Sequence, residues 1–115
     1  YVVTTNLERS YLPYDDDRIT WFSSLSFFTL DPQTGQLTLV GDYPYDGILP
    51  EAAAFDASSQ YLAVVNYDHF DDRIQGGSID FWRIAADPLD PQPTLVQTRY
   101  SVPVTRGVHS MVLVP

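Results

Sequence analysis

The sequence predicts an all-β fold of short antiparallel strands, and three observations carry that reading. Of the 115 residues, 44% are apolar and 14% aromatic, enough for a packed core and too many for a disordered tail. Nine Pro and six Gly fall between the apolar runs, which suits many short strands better than long helices. No window keeps an i, i+3, i+4, i+7 apolar stripe for more than two turns. The best helical stretch, 51–55 (EAAAF), is a single turn stopped by Asp56, and isolated helices that short are marginal, so it reads as strand.

The elements follow in order. Residues 1–6 (YVVTTN) are β-branched and apolar, a strand; 7–17 are polar with Pro13 and three consecutive Asp, a loop. Residues 19–30 form an aromatic strand ending in SFFTL. The next five, DPQTG, spell a turn: Pro32 presets φ, Asp31 accepts from the backbone and Gly35 supplies φ > 0. Residues 36–40 (QLTLV) return antiparallel, and 41–50 read as a loop. Strand 52–55 follows, then a turn over 56–60. Residues 61–66 (YLAVVN) are apolar on both faces, so this strand is central in its sheet. An acidic loop at 67–77, strand 78–84 (SIDFWRI), a Pro/Asp turn at 85–93, strand 94–100 and a last strand, 108–114 (VHSMVLV), complete the chain.

The chain also repeats itself. Asp16-Asp17-Arg18-Ile19 recurs as Asp71-Asp72-Arg73-Ile74, 55 positions on. SLSFFTL at 24–30 recurs as SIDFWRI at 78–84, and Thr38-Leu39-Val40 as Thr94-Leu95-Val96, at offsets of 54 and 56. Tyr1 and Asn6 match Tyr61 and Asn66 at offset 60. The repeat is about 55 residues and holds four strands, a (52–55), b (61–66), c (78–84) and d (94–100). Four short antiparallel strands per repeat are the unit of a β-propeller blade. On this reading 1–44 supply strands b, c and d of one blade, 50–103 a complete blade, and 104–115 the first strand of the next. The small apolar strand a suits the crowded axis. The aromatics of strand c (Phe27, Phe28, Phe81, Trp82) suit the space between blades, and Trp21 joins that core.

YVVTTN and YLAVVN resemble the YVTN-type propeller repeat. The order DPQTGQLTLV, PEAAAFDASSQYLAVVN, GSIDFWRI is similar to the seven-bladed lactonase-like propellers, a family that includes 6-phosphogluconolactonase-like and muconate-cyclase-like proteins. Propellers close with about four to eight blades, so two blades imply a piece of a longer chain or a protomer that closes a ring with copies or partners. The opening at Tyr1, already inside an apolar run, fits a piece, and no signal peptide is visible.

Six basic residues, all Arg, against fifteen acidic ones give a net charge of −9, which disfavours nucleic acid as a partner. The absence of Cys excludes disulfides and thiolate metal sites, and no apolar run approaches the roughly 18 residues that span a bilayer. Strand direction alternates within a blade, so the b–c and d–a loops emerge on one rim. That rim carries the Asp-rich loops, and Asp16, Asp17, Asp71 and Asp72 are candidate calcium ligands, although no D-x-D-x-D-G pattern is present. Glu51 and His109 stand at the mouth of strand a in successive repeats, with Arg106 nearby. As a base and an oxyanion clamp these three are the candidate catalytic residues for lactone opening. His69 reads as a surface residue of an acidic loop. Ser110 adjoins His109 and so points to the opposite face of a strand. No G-x-S-x-G, H-E-x-x-H, P-loop or G-x-G-x-x-G occurs.

The function expected is a propeller scaffold or binding module that presents an acidic rim to a partner or small ligand. The alternatives are a lactone hydrolase or cyclase, as the resemblance implies, and a structural protomer of a ring built from several chains. The expected partners are the rest of the propeller or another protein chain, and the resemblance implies a periplasmic or secreted location.

Overall fold

A computed structural model describes residues 1–7, 15, 23–45, 47–69 and 73–114. The described residues form seven strands in two antiparallel sheets, with no helix among them. β1 (Val2–Asn6), β2 (Ser23–Leu30) and β3 (Leu37–Tyr45) make a three-stranded sheet in the order β1-β2-β3. β4 (Gly47–Phe55), β5 (Tyr61–His69), β6 (Gly77–Asp87) and β7 (Asp90–Val104) make a four-stranded sheet in the order β4-β5-β6-β7. Within each sheet every strand pairs with the strand next to it in sequence.

The turns form by the expected chemistry. At 31–35 the Gly35 N–H donates to the Asp31 carbonyl (2.8 Å), the Asp31 carboxylate accepts from the Gln33 N–H (2.9 Å), and Gly35 takes φ +72°. At 56–61 the Asp56 carboxylate accepts from the N–H groups of Ser58 (3.1 Å), Gln60 (2.9 Å) and Tyr61 (2.8 Å).

β1 pairs with β2 as β5 pairs with β6: Asn6 lies opposite Ser24, and Asn66 opposite Ser78. Residues directly opposite share a face. Each sheet therefore has an asparagine face and a reverse face. On the four-stranded sheet the asparagine face carries Phe55, Leu62, Val64, Asn66, Ser78, Asp80 and Trp82. It packs on the reverse face of the three-stranded sheet, which carries Val3, Leu25, Phe27, Tyr43 and Tyr45. Leu25, Phe27, Tyr45, Leu62, Val64, Trp82 and Leu95 form the buried core between the sheets. Trp82 sits edge-on to Tyr45 and Tyr43, with centroids 5.6 and 6.4 Å apart, and Tyr1 packs on Phe27 at 5.1 Å. The Tyr45 hydroxyl crosses the interface and donates to Asn66 Oδ1 (2.9 Å).

Several strand limits differ from those read from sequence. Residues 41–50 are not a loop: β3 runs to Tyr45 and β4 starts at Gly47. Pro44, Pro50, Pro91, Pro93 and Pro103 all lie on β3, β4 or β7, the strands at sheet edges, where a missing N–H breaks no inner ladder. The 85–93 turn shrinks in the same way, with β6 reaching Asp87 and β7 starting at Asp90, and β5 continues to His69. Strand d aligns differently from its TLV match. Leu37 and Leu95 occupy equivalent places, opposite Leu30 and Ile84, so Thr38 corresponds to Val96 and not to Thr94. Bulges in both sheets shift the register there. Residues 108–114 carry no strand pairing, since a strand exists only through its ladder.

Candidate functional site

The end of β5, the starts of β4 and β6 and the end of β7 meet at one end of the four-stranded sheet. There the sequence sets polar side chains on short reversals. Gly76, at φ +86°, turns the chain into β6 so tightly that a Cβ would lie 2.5 Å from the Val104 carbonyl oxygen. Leu49 holds φ +50°, an uncommon conformation for a residue with a side chain, and a bulge follows between Pro50 and Ala52. Bulges re-aim side chains, and Glu51 sits in this one.

Glu51 and His109 are brought together, as an ion pair between the carboxylate and Nδ1 when the imidazole is protonated. The His109 ring also packs on Tyr67, with centroids 5.5 Å apart. Arg106 does not join this pair. Its Nε donates to Asp68 Oδ2 at 2.7 Å; Asp68 is 16% exposed and Arg106 63%, so the guanidinium is anchored on one side and open to water on the other. Asp68, His69, Gly76, Pro103, Val104 and Arg106 line an open cleft of about 810 Å³.

His69 is half-buried in strand β5 and is not the surface loop residue read from sequence. Its Nδ1 faces the Gly76 carbonyl (3.0 Å) and its Nε2 faces Ser78 Oγ (3.1 Å). A carbonyl only accepts, so Nδ1 carries a proton, and in the neutral imidazole the Ser78 hydroxyl then donates to Nε2. The chain of bonds continues inward. Asn66 Nδ2 donates to Ser78 Oγ (3.2 Å) and to Asp80 Oδ2 (2.6 Å), while the Ser101 hydroxyl donates to Asp80 Oδ1 (2.6 Å). One polar network thus links the cleft to the inter-sheet contact at Tyr45. In the three-stranded sheet Asn6 Nδ2 donates likewise to Ser24 (3.1 Å) and Ser26 (2.8 Å).

The matched YxxxxN runs and their SxS or SxD partners (Ser24 and Ser26, Ser78 and Asp80) held the signal for this network. His69 has no counterpart in the first repeat, and alternation continued through 67–69 would have placed it on the strand. Asp16, Asp17, Asp71 and Asp72, the candidate calcium ligands, lie outside the described residues, as do Arg18 and Trp21. Among the described residues no group of three or more His, Asp or Glu side chains converges, and no helix is long and apolar enough to cross a membrane.

The opposite end of the sheets is built for turning. Hydrogen bonds from the Ser58 hydroxyl and from the Tyr61, Ser58 and Gln60 N–H groups hold the Asp56 carboxyl down to about 2. The Gln33 N–H, then the Thr34 hydroxyl and N–H, lower that of Asp31. In comparison with known proteins the chain matches no family profile, no curated protein and no solved structure.

Proposed function

We propose that the chain supplies sheets to a β-propeller-type ring and serves as a binding scaffold, taking a small ligand or a partner at the cleft between Asp68 and Arg106. The observation that supports the ring is the head-to-tail packing. The asparagine face of one repeat lies on the reverse face of the repeat before it, and such heterologous contacts propagate until they close. On this reading residues 1–44 belong to one blade, 50–103 form a whole blade and 104–115 begin a third.

Binding is favoured at the cleft because loops on a rigid scaffold converge there and Arg106 is held in place by a half-buried carboxylate. Thermal unfolding of the intact protein with gluconate, a hydroxy acid, tests this. The expected result is a rise in Tm that is lost in Arg106→Ala, with no turnover of δ-valerolactone. No rise in either protein rejects the cleft as a site for small organic acids.

The Glu51–His109 contact favours a second reading, lactone hydrolysis or cyclisation. A carboxylate on Nδ1 fixes the tautomer and directs the Nε2 lone pair outward as a general base. The assay is δ-valerolactone turnover by the intact protein, lost in Glu51→Gln and His109→Ala. Turnover that is absent, or unchanged in both variants, removes these residues from catalysis.

A further inference from the structure

The group that holds Arg106 in the cleft also limits what Arg106 can take. Arg106 donates through Nε to Asp68 Oδ2 at 2.7 Å. A guanidinium carries its N–H groups in one plane. With Nε engaged, its paired Nη groups leave a single fork, and a fork matches one planar carboxylate. Asp68 is itself held. Its Oδ1 accepts the N–H of His69 at 3.0 Å, and its place in β5 is fixed opposite Ile48. Both carboxylate oxygens are thus engaged, on a side chain only 16% exposed.

The other described residues of the cleft add no charge to that fork. Both ring nitrogens of His69 are taken, Nδ1 by the Gly76 carbonyl and Nε2 by Ser78 Oγ. Gln75 and Thr105 offer neutral hydrogen-bonding groups to the uncharged part of a ligand. With the imidazole neutral, the charges of Arg106 and Asp68 therefore cancel among the described lining residues.

Asp68 acts on an incoming anion in two opposing ways. Its charge repels the anion, and its hydrogen bond fixes the group that attracts it. For a ligand with one carboxylate the fork prevails, because its two charge-assisted bonds are parallel and already oriented. A second negative charge on the ligand meets no further cation among the described lining residues, and it enters a chain whose net charge is −9.

We infer that Asp68 sets the charge selectivity of this cleft. It aims the Arg106 fork and cancels the Arg106 charge, so the cleft takes a monocarboxylate and turns away dicarboxylates and phosphate dianions. This rests on the reading of the cleft as a site for small organic acids, and adds which of them it takes.

Gluconate and glucarate share one polyhydroxy carbon chain and differ at one end, a hydroxymethyl group in the first and a second carboxylate in the other. Both are titrated calorimetrically into the intact protein at about 0.01 M ionic strength, where screening sets in only beyond about 30 Å. Gluconate should bind about tenfold more tightly than glucarate. Asp68→Asn keeps an oxygen for Arg106 Nε and removes the charge, so glucarate should gain about tenfold and draw level. Asp68→Ala removes the prop, and gluconate should weaken about tenfold although a negative charge has left the site. Coulomb's law alone gives the opposite sign. A purely structural role would weaken both ligands alike in both variants, and that result overturns the inference. So does an equal or reversed preference in the wild type, a preference unchanged in Asp68→Asn, or tighter gluconate binding in Asp68→Ala; in each of these cases the cleft itself stands. Gluconate binding that is absent from the wild type, or unchanged in Arg106→Ala, removes the cleft reading and the selectivity with it.

Discussion

Asn66 and Asn6 occupy equivalent places in the two sheets, and that makes them an internal control for the role of burial. Asn66 is fully buried and makes three side-chain hydrogen bonds: it accepts from Tyr45 and donates to Ser78 and to the Asp80 carboxylate. Asn6 also makes three, to Thr4, Ser24 and Ser26, but at a half-exposed position. A neutral hydrogen bond contributes about 1 kcal/mol and one to a charged group about 1.5–3 kcal/mol, and stripping a buried group of its partner adds a desolvation cost. Asn66→Ala should therefore destabilise by about 4 kcal/mol. Asn6→Ala should cost about 1 kcal/mol, because water replaces what the side chain gave. Urea unfolding of the intact protein, followed by tryptophan fluorescence, reads both as shifts in midpoint at constant m-value. Equal costs for the two variants, or a loss below about 1 kcal/mol for Asn66→Ala, would falsify the claim that this network holds the sheets together.

Three further outcomes follow from the packing and the turns. Gly77→Ala should unfold the β5–β6 end, at a cost above about 3 kcal/mol, since its Cβ would lie 2.0 Å from the Asn66 carbonyl oxygen, and backbone cannot step aside as a side chain can; a midpoint within error of wild type refutes it. Trp82→Phe should cost less than about 1.5 kcal/mol against about 3–5 for Phe27→Ala, because Trp82 Nε1 is buried with no hydrogen-bond partner among the described residues, and its removal offsets part of the lost packing; calorimetric unfolding ranks the two. The Asp56 carboxyl is depressed to about 2 in the folded chain from an ordinary 3.8, so its contribution is fully present above pH 3.8 and fades as pH falls through about 2. Asp56→Asn should lower Tm at neutral pH, and the gap from wild type should close on acid titration across that window; a gap constant with pH contradicts the turn's electrostatics.

Strands b and c were legible because their residues are buried by the strands beside them. YLAVVN and SIDFWRI are ladders flanked on both sides, and apolar pattern reports burial. The edge strands were cut short, since Gly41, Pro44, Gly47 and Pro50 are breakers in a central strand but tolerated at an edge or a bulge. The TLV match misled because the second copy carries four more residues between Ile84 and Leu95 than the first does between Leu30 and Leu37, and composition does not report where an insertion falls. At the site, counting equivalent positions along the repeat set Glu51 and His109 at matching places, and the structure adds that the two touch. The pairing of Arg106 with Asp68, and the half-burial of His69, depend on how far β5 runs past Asn66, and the polar Asp68 and His69 concealed that.

The meander has a consequence for how the chain acquires its shape. No strand has to wait for a distant partner, since each pairs with a strand next to it in sequence, the widest separation being the 16 residues between β1 and β2. Local topologies of this kind close small loops first and fold fast for their β content. A chain emerging residue by residue can therefore form β4 to β7 as soon as β7 is free, and seat that sheet on the one made before it. Order of synthesis becomes order of stacking, the three-stranded sheet standing complete before the four-stranded one seats on it.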